Sequence, residues 1–180
     1  MPIEIPEPWI SFLREVDQTL ERRTIAHCLG GFVLMVMWAR DRPTGDVDIV
    51  NANSEDSLTL RGIAGQGTDI ADKYGVYFDV VTVAELPEAY RSRLIDLTPP
   101  FFSHLELLAF EIHDLVLAKL GRFGPRDRED IAFLGRARAL DLTTLRERFE
   151  TEVRPYALNE RTSAHLELCL NELTRISSGS

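Results

Sequence analysis

Two cysteines, Cys28 and Cys169, are all the thiol chemistry that the 180 residues hold. Two cannot build a disulfide framework, and both fall on apolar faces of expected elements, so they read as buried and inert. Long apolar runs are missing as well. The oiliest stretch, residues 32–39, is far shorter than the roughly 18 residues that read as a membrane-spanning helix. The opening Met1-Pro2-Ile3-Glu4-Ile5-Pro6 lacks the basic and then apolar order of a secretory signal. The expectation is a soluble, cytoplasmic protein with no membrane contact. Positive charge is scarce, with 20 Lys and Arg against 29 Asp and Glu and a formal net charge of −9. Broad nonspecific binding of nucleic acid rests on neutralising phosphates and is disfavoured by that balance, although a local basic patch is not. No two of His27, His104, His113 and His165 stand at metal-ligand spacing, and they read as ordinary core or surface residues.

What is present is the composition of a globular chain, 44% hydrophobic and 27% charged, long enough to bury a real core. Helical spacing of Trp9, Leu13, Val16 and Leu20 predicts a helix over 8–23. A short apolar strand over 24–29 then ends at Gly30-Gly31, and good helix formers occupy 32–39. The order strand, glycine turn, helix, loop, strand places the glycines at a helix N-terminus, where backbone N–H groups can face an anion. Residues 54–74 read as a helical region split by Gly62, Gly65 and Gly67, and 76–83 as the clearest strand in the chain. An edge strand over 94–98 and a further strand over 104–110 are expected. Helices follow over 111–121, 126–139, 144–153 and 159–176, the third opened by a capping box of Thr144 and Glu147. The fold class is therefore α+β, with a small mixed sheet and its helices in 1–110 and a helical region in 111–180 packed on it.

The chemistry concentrates in Gly45-Asp46-Val47-Asp48-Ile49-Val50. If 46–50 is a strand, its period of two puts both carboxylates on one face and Val47 and Ile49 on the other. Two carboxylates side by side repel unless a cation lies between them. Asp79, alone in an apolar strand, is the natural third member if the two strands are neighbours. Three such oxygens suit Mg2+, and a pair of ions about 3.5–4 Å apart could serve transfer from a nucleoside triphosphate (NTP). In that scheme Asp46, Asp48 and Asp79 hold metal, and Asp79 is also the candidate base. Gly30 and Gly31 let the backbone approach the phosphates, and Arg42 contacts them from the loop, with Thr44 beside it. The plainer alternatives are a glycine turn, an acidic loop and an edge-strand charge facing water.

The run from Gly30-Gly31-Phe32 through Arg42-Pro43-Thr44-Gly45-Asp46-Val47-Asp48-Ile49 resembles the first motif of the nucleotidyltransferase superfamily, the group with the polymerase-beta-like fold. Many members carry Gly-Ser where this chain has Gly30-Gly31. An uncharacterised bacterial branch related to abortive-infection toxins carries the double glycine and the Arg, Thr, Asp, Asp run. Asp114-Leu115-Val116-Leu117-Ala118-Lys119-Leu120, then Arg122, then Arg126-Asp127-Arg128-Glu129-Asp130-Ile131, is similar to the downstream motif of that branch. The resemblance implies a Lys119 that faces the triphosphate with Arg122 beside it, a catalytic role for Asp127 and a rim position for Asp130. Helix capping and ion pairing are the plainer explanation of the same four residues. It also implies transfer of a nucleotide monophosphate from an NTP to an RNA end such as tRNA, a protein side chain or a small molecule, and an antitoxin as partner. The absent serine motivates the alternative, a catalytically silent nucleotide-binding or protein-interaction module on the same fold.

Overall fold

The computed structural model describes residues 4–42, 44–50, 54–82, 85–137, 140–157 and 160–178. The chain divides into two compact units, Met1–Thr82 with Leu94–Phe110, and Val83–Arg93 with Glu111–Ser180.

The first unit is built on a five-stranded sheet. Its elements are α1 (Trp9–Thr19), β1 (Thr24–Leu29), α2 (Gly30–Trp38), β2 (Asp46–Val50), α3 (Ser54–Ala64), α4 (Asp69–Tyr74), β3 (Tyr77–Val81), β4 (Ile95–Asp96) and β5 (Leu105–Ala109). The sheet order is β3-β2-β1-β5-β4. β1 runs antiparallel to β2 and parallel to β5, β2 is parallel to β3, and β4 is antiparallel to β5, so the sheet is mixed. Helix α1 buries Phe12, Leu13 and Val16, and the Phe12 ring lies 5.5 Å from that of Phe78 on β3. It stops four residues short of the expected end because Leu20 turns extended and is itself buried. Asp17, also buried on α1, has a task that apolar periodicity does not show. Its carboxylate accepts the backbone N–H groups of Ser103, His104 and Leu105 at 2.7–3.1 Å, which fixes the start of β5. Burial alone would raise that carboxyl, but these donors outweigh it and hold it below its usual value. The break between α3 and α4 falls at the expected glycines, where Gly67 has φ 83° and the Thr68 hydroxyl caps α4 by accepting from the Ala71 N–H.

The second unit is helical, with α5 (Ile112–Leu117), α6 (Pro125–Leu134), α7 (Leu142–Arg148) and α8 (Arg161–Ser178). The expected limits at 83, 139 and 159 lie outside the described residues. Helix α7 is not opened by Thr144 and Glu147. Asp141 caps it by accepting the Thr144 N–H at 2.7 Å, because the helix starts two residues earlier and places Thr144 inside its first turn. Helix α8 turns Leu166, Cys169, Leu170 and Leu173 inward, as its 3.6-residue period predicts. No helix among the described residues is long and apolar enough to cross a membrane.

A polar network lies at the centre of this unit. Asp114, fully buried, accepts from Arg93 Nε and Nη2 at 2.8 and 3.0 Å and from Arg148 Nη1 at 3.0 Å. Arg93 also binds Glu152, and Arg148 binds Glu111 at 2.6 Å. The His113 Nε2 accepts the Asp141 N–H at 2.9 Å, so its Nδ1 carries the proton that reaches Glu111 at 2.5 Å. Burial pushes the Glu111 carboxyl upward, but hydrogen bonds from His113 and Arg148 prevail and hold it at about 2. The folded value lies below the ordinary 4.5, so its stabilisation is complete above about pH 4.5 and is lost as pH falls toward 2. The contribution is about 3 kcal/mol. Glu111→Gln is expected to flatten the fall in urea midpoint between about pH 5 and pH 3; an unchanged slope would assign the acid sensitivity elsewhere.

Candidate metal and nucleotide site

β2 alternates as its sequence predicts. Val47 and Ile49 are buried, while Asp46 and Asp48 project from the opposite face and are half-buried. β3 lies beside it in parallel register, with Asp48 opposite Asp79 and Asp46 opposite Tyr77. One ligand oxygen from each of Asp46, Asp48 and Asp79 lies within 4.8 Å of the others, and this is the potential metal-binding group found among the described residues. Tyr77 stands on the same face, two residues before Asp79. Its phenol is pushed up by burial first and then by the negative charges of Asp46, Asp79 and Asp48. Tyr77 also borders an open hollow of about 440 Å³ lined with Gln66, Gly67, Ala71, Asp72 and Gly75.

Across the sheet, Leu29 pairs with Asp48, and α2 begins at the next residue. The helix therefore opens at Gly30, two residues earlier than its apolar run suggests. Gly30 has φ 72°, a left-handed conformation that side chains disfavour, and a methyl group there would overlap the Asp48 carboxylate. At Gly31 a Cβ would stand 3.1 Å from Thr44 Oγ1, 3.3 Å from Thr44 Cβ and 3.7 Å from Arg42 Nη2. The glycine pair lets the loop side chains and the second aspartate close directly on the helix N-terminus. The Thr44 hydroxyl, in turn, donates to the Asp46 carboxylate. Behind the site Cys28 is fully buried, and its thiol is raised by burial and by the Asp48 charge, so it is no nucleophile.

Gly30, Gly31, Arg42, Thr44, Asp46, Asp48 and Asp79 thus come together in the sheet unit. Lys119, Arg122, Asp127 and Asp130 form a cluster of their own in the helical unit. Lys119 Nζ reaches Asp130 at 2.8 Å and Asp127 at 3.6 Å, and Arg122 makes two 2.8 Å bonds to Asp127. Asp127 also accepts the Gly124 N–H at 3.0 Å, capping α6. Both aspartates are buried, so each negative charge needs the cation beside it. Asp17, Tyr77 and Arg93 were not singled out by sequence reasoning. Tyr77 could have been, since it shares the period-two face of Asp79.

Three hard oxygen donors at this spacing fit a divalent cation such as Mg2+, and the mutual repulsion of the carboxylates favours one. A mixed sheet that presents paired aspartates and a third from the neighbouring strand, against a helix opened by two glycines, defines a nucleotidyltransferase-type protein. The chain belongs to the family described as nucleotidyltransferase of unknown function (DUF6036), whose model matches residues 10–175. No curated protein and no solved structure matches the chain.

Proposed function

We propose that the protein is a Mg2+-dependent nucleotidyltransferase that moves a nucleotide monophosphate from an NTP to an acceptor hydroxyl. The observation that carries this reading is the carboxylate triad on the parallel neighbours β2 and β3, with Asp48 in register with Asp79. In the reaction the acceptor oxygen forms a bond to the α-phosphorus, the bond to the bridging oxygen breaks, and pyrophosphate leaves. Asp79, the most exposed of the three carboxylates, takes the hydroxyl proton. Asp46, Asp48 and Asp79 would hold the metal, a pair of ions in the full site, which supplies positive charge against the triphosphate and the leaving pyrophosphate. Arg42 and the N–H groups at the start of α2 bind phosphate oxygens. Lys119, Arg122, Asp127 and Asp130 pair with one another in the helical unit, and no step is assigned to them.

The resemblance to abortive-infection toxins extends the proposal to a tRNA end or a protein side chain as acceptor and to an antitoxin as partner. A net charge of −9 favours a protein or small-molecule acceptor over RNA. The test is incubation with Mg2+, each labelled NTP and pools of tRNA and protein, beside an Asp46→Ala, Asp48→Ala double variant. Label transfer that vanishes in the variant is the expected result. Binding of NTP without transfer to any acceptor would instead identify a silent nucleotide-binding module.

A further inference from the structure

We infer that Thr44 is a positioning residue of the metal centre, and that Gly31 is bare because Thr44 occupies the space a side chain would take. The inference rests on the proposed metal-dependent reading and assigns Thr44 a task other than contact with the nucleotide. Asp46 is the first residue of β2 and only half-buried, so packing does little to select its rotamer. It stands among like charges, with Asp48 and Asp79 offering oxygens within 4.8 Å, and repulsion alone would turn it outward. The Thr44 hydroxyl opposes that. It has one proton to donate; the Asp46 carbonyl is a distant acceptor at 3.3 Å, and the much closer Oδ1 takes the bond, which fixes the carboxylate while leaving it lone pairs for a cation.

The hydroxyl is itself held. Threonine is stiff at χ1 because two heavy atoms branch from its Cβ, and both that Cβ and Oγ1 face Gly31, at 3.3 and 3.1 Å from where a Cβ would stand. A side chain at 31 would have to push Thr44 aside by a few tenths of an ångström. The double glycine therefore performs two separate jobs. Gly30 yields to Asp48, and Gly31 yields to the residue that aims Asp46.

Mn2+ alone, titrated into the full chain and followed by the electron paramagnetic resonance signal of the free ion, tests this without any turnover. Thr44→Val keeps the shape and removes the donor, and is expected to weaken Mn2+ binding about 10- to 100-fold, the usual loss when an outer partner of a metal ligand is removed. Thr44→Ser is expected to restore binding to near the wild-type level. Gly31→Ala, which improves helix propensity, is expected to lose Mn2+ affinity to a smaller degree with no fall in melting temperature, a combination that a merely structural role would not produce. Wild-type affinity in Thr44→Val, or equal losses in Thr44→Val and Thr44→Ser, would overturn the inference and leave the metal centre standing. Wild-type protein that binds Mn2+ no better than the Asp46→Ala, Asp48→Ala variant would overturn the metal reading itself.

Discussion

Gly30→Ala is expected to lower nucleotidyl transfer by at least about 100-fold in a chain that still folds. The methyl group would fall on the Asp48 carboxylate, so either that side chain or the start of α2 has to move by about an ångström or more. Both are parts of the site, and neither displacement can be absorbed elsewhere. The left-handed φ of 72° adds about 1–2 kcal/mol of strain for an L-residue, which is small beside a total stability of about 5–15 kcal/mol. Gly62→Ala is the control, since nothing lies within 4 Å of a Cβ there and the residue sits inside α3. It should leave transfer unchanged and raise stability slightly. Full transfer by Gly30→Ala would show that the Asp48 carboxylate takes no part in the chemistry.

The second large effect concerns stability. Asp114→Ala is expected to destabilise the helical unit by about 3–5 kcal/mol, because it leaves two guanidinium groups short of a buried counter-charge. Arg93 would keep Glu152 and Arg148 would keep Glu111, but three charge-assisted hydrogen bonds disappear at once. In a chain of this size the melting temperature should fall by roughly 10 °C. Asp114→Asn preserves volume and one acceptor oxygen, and should fall between wild type and Asp114→Ala. Calorimetry decides it; a melting point for Asp114→Ala within about 2 °C of wild type would mean that Arg93 and Arg148 find other partners cheaply.

The site was legible in the sequence to the extent that its logic is local. Period-two alternation put Asp46 and Asp48 on one face, and a lone carboxylate in the apolar run of β3 marked Asp79. Their pairing needed only that the two strands be neighbours, and they are, in parallel register. What stayed hidden depends on contacts between distant residues. Asp17 binds backbone groups more than 80 positions away, and Asp114 draws on Arg93 and Arg148 from opposite directions along the chain. The true cap of α7 was missed because Thr144 and Glu147 imitate a capping box while Asp141, three residues earlier, already supplies the acceptor. The boundary of α2 was missed for a related reason: glycine normally ends or precedes a helix, and here the first two residues are glycines to admit Asp48 and Thr44. Lys119 and Arg122 lie three apart on the sequence as read, and their nearest charges, Asp127 and Asp130, are buried beside them.

The chain also carries its own gauges of opening. Each unit contains one cysteine, Cys28 in the first and Cys169 in the second, both with no accessible surface. Burial raises both thiols, that of Cys169 to about 12, so an alkylating reagent can react only with molecules in which the surrounding strand or helix has come away. Labelling rates at the two positions, separated by mass spectrometry of the digested chain, report the excursions of sheet and helices independently and with no introduced label.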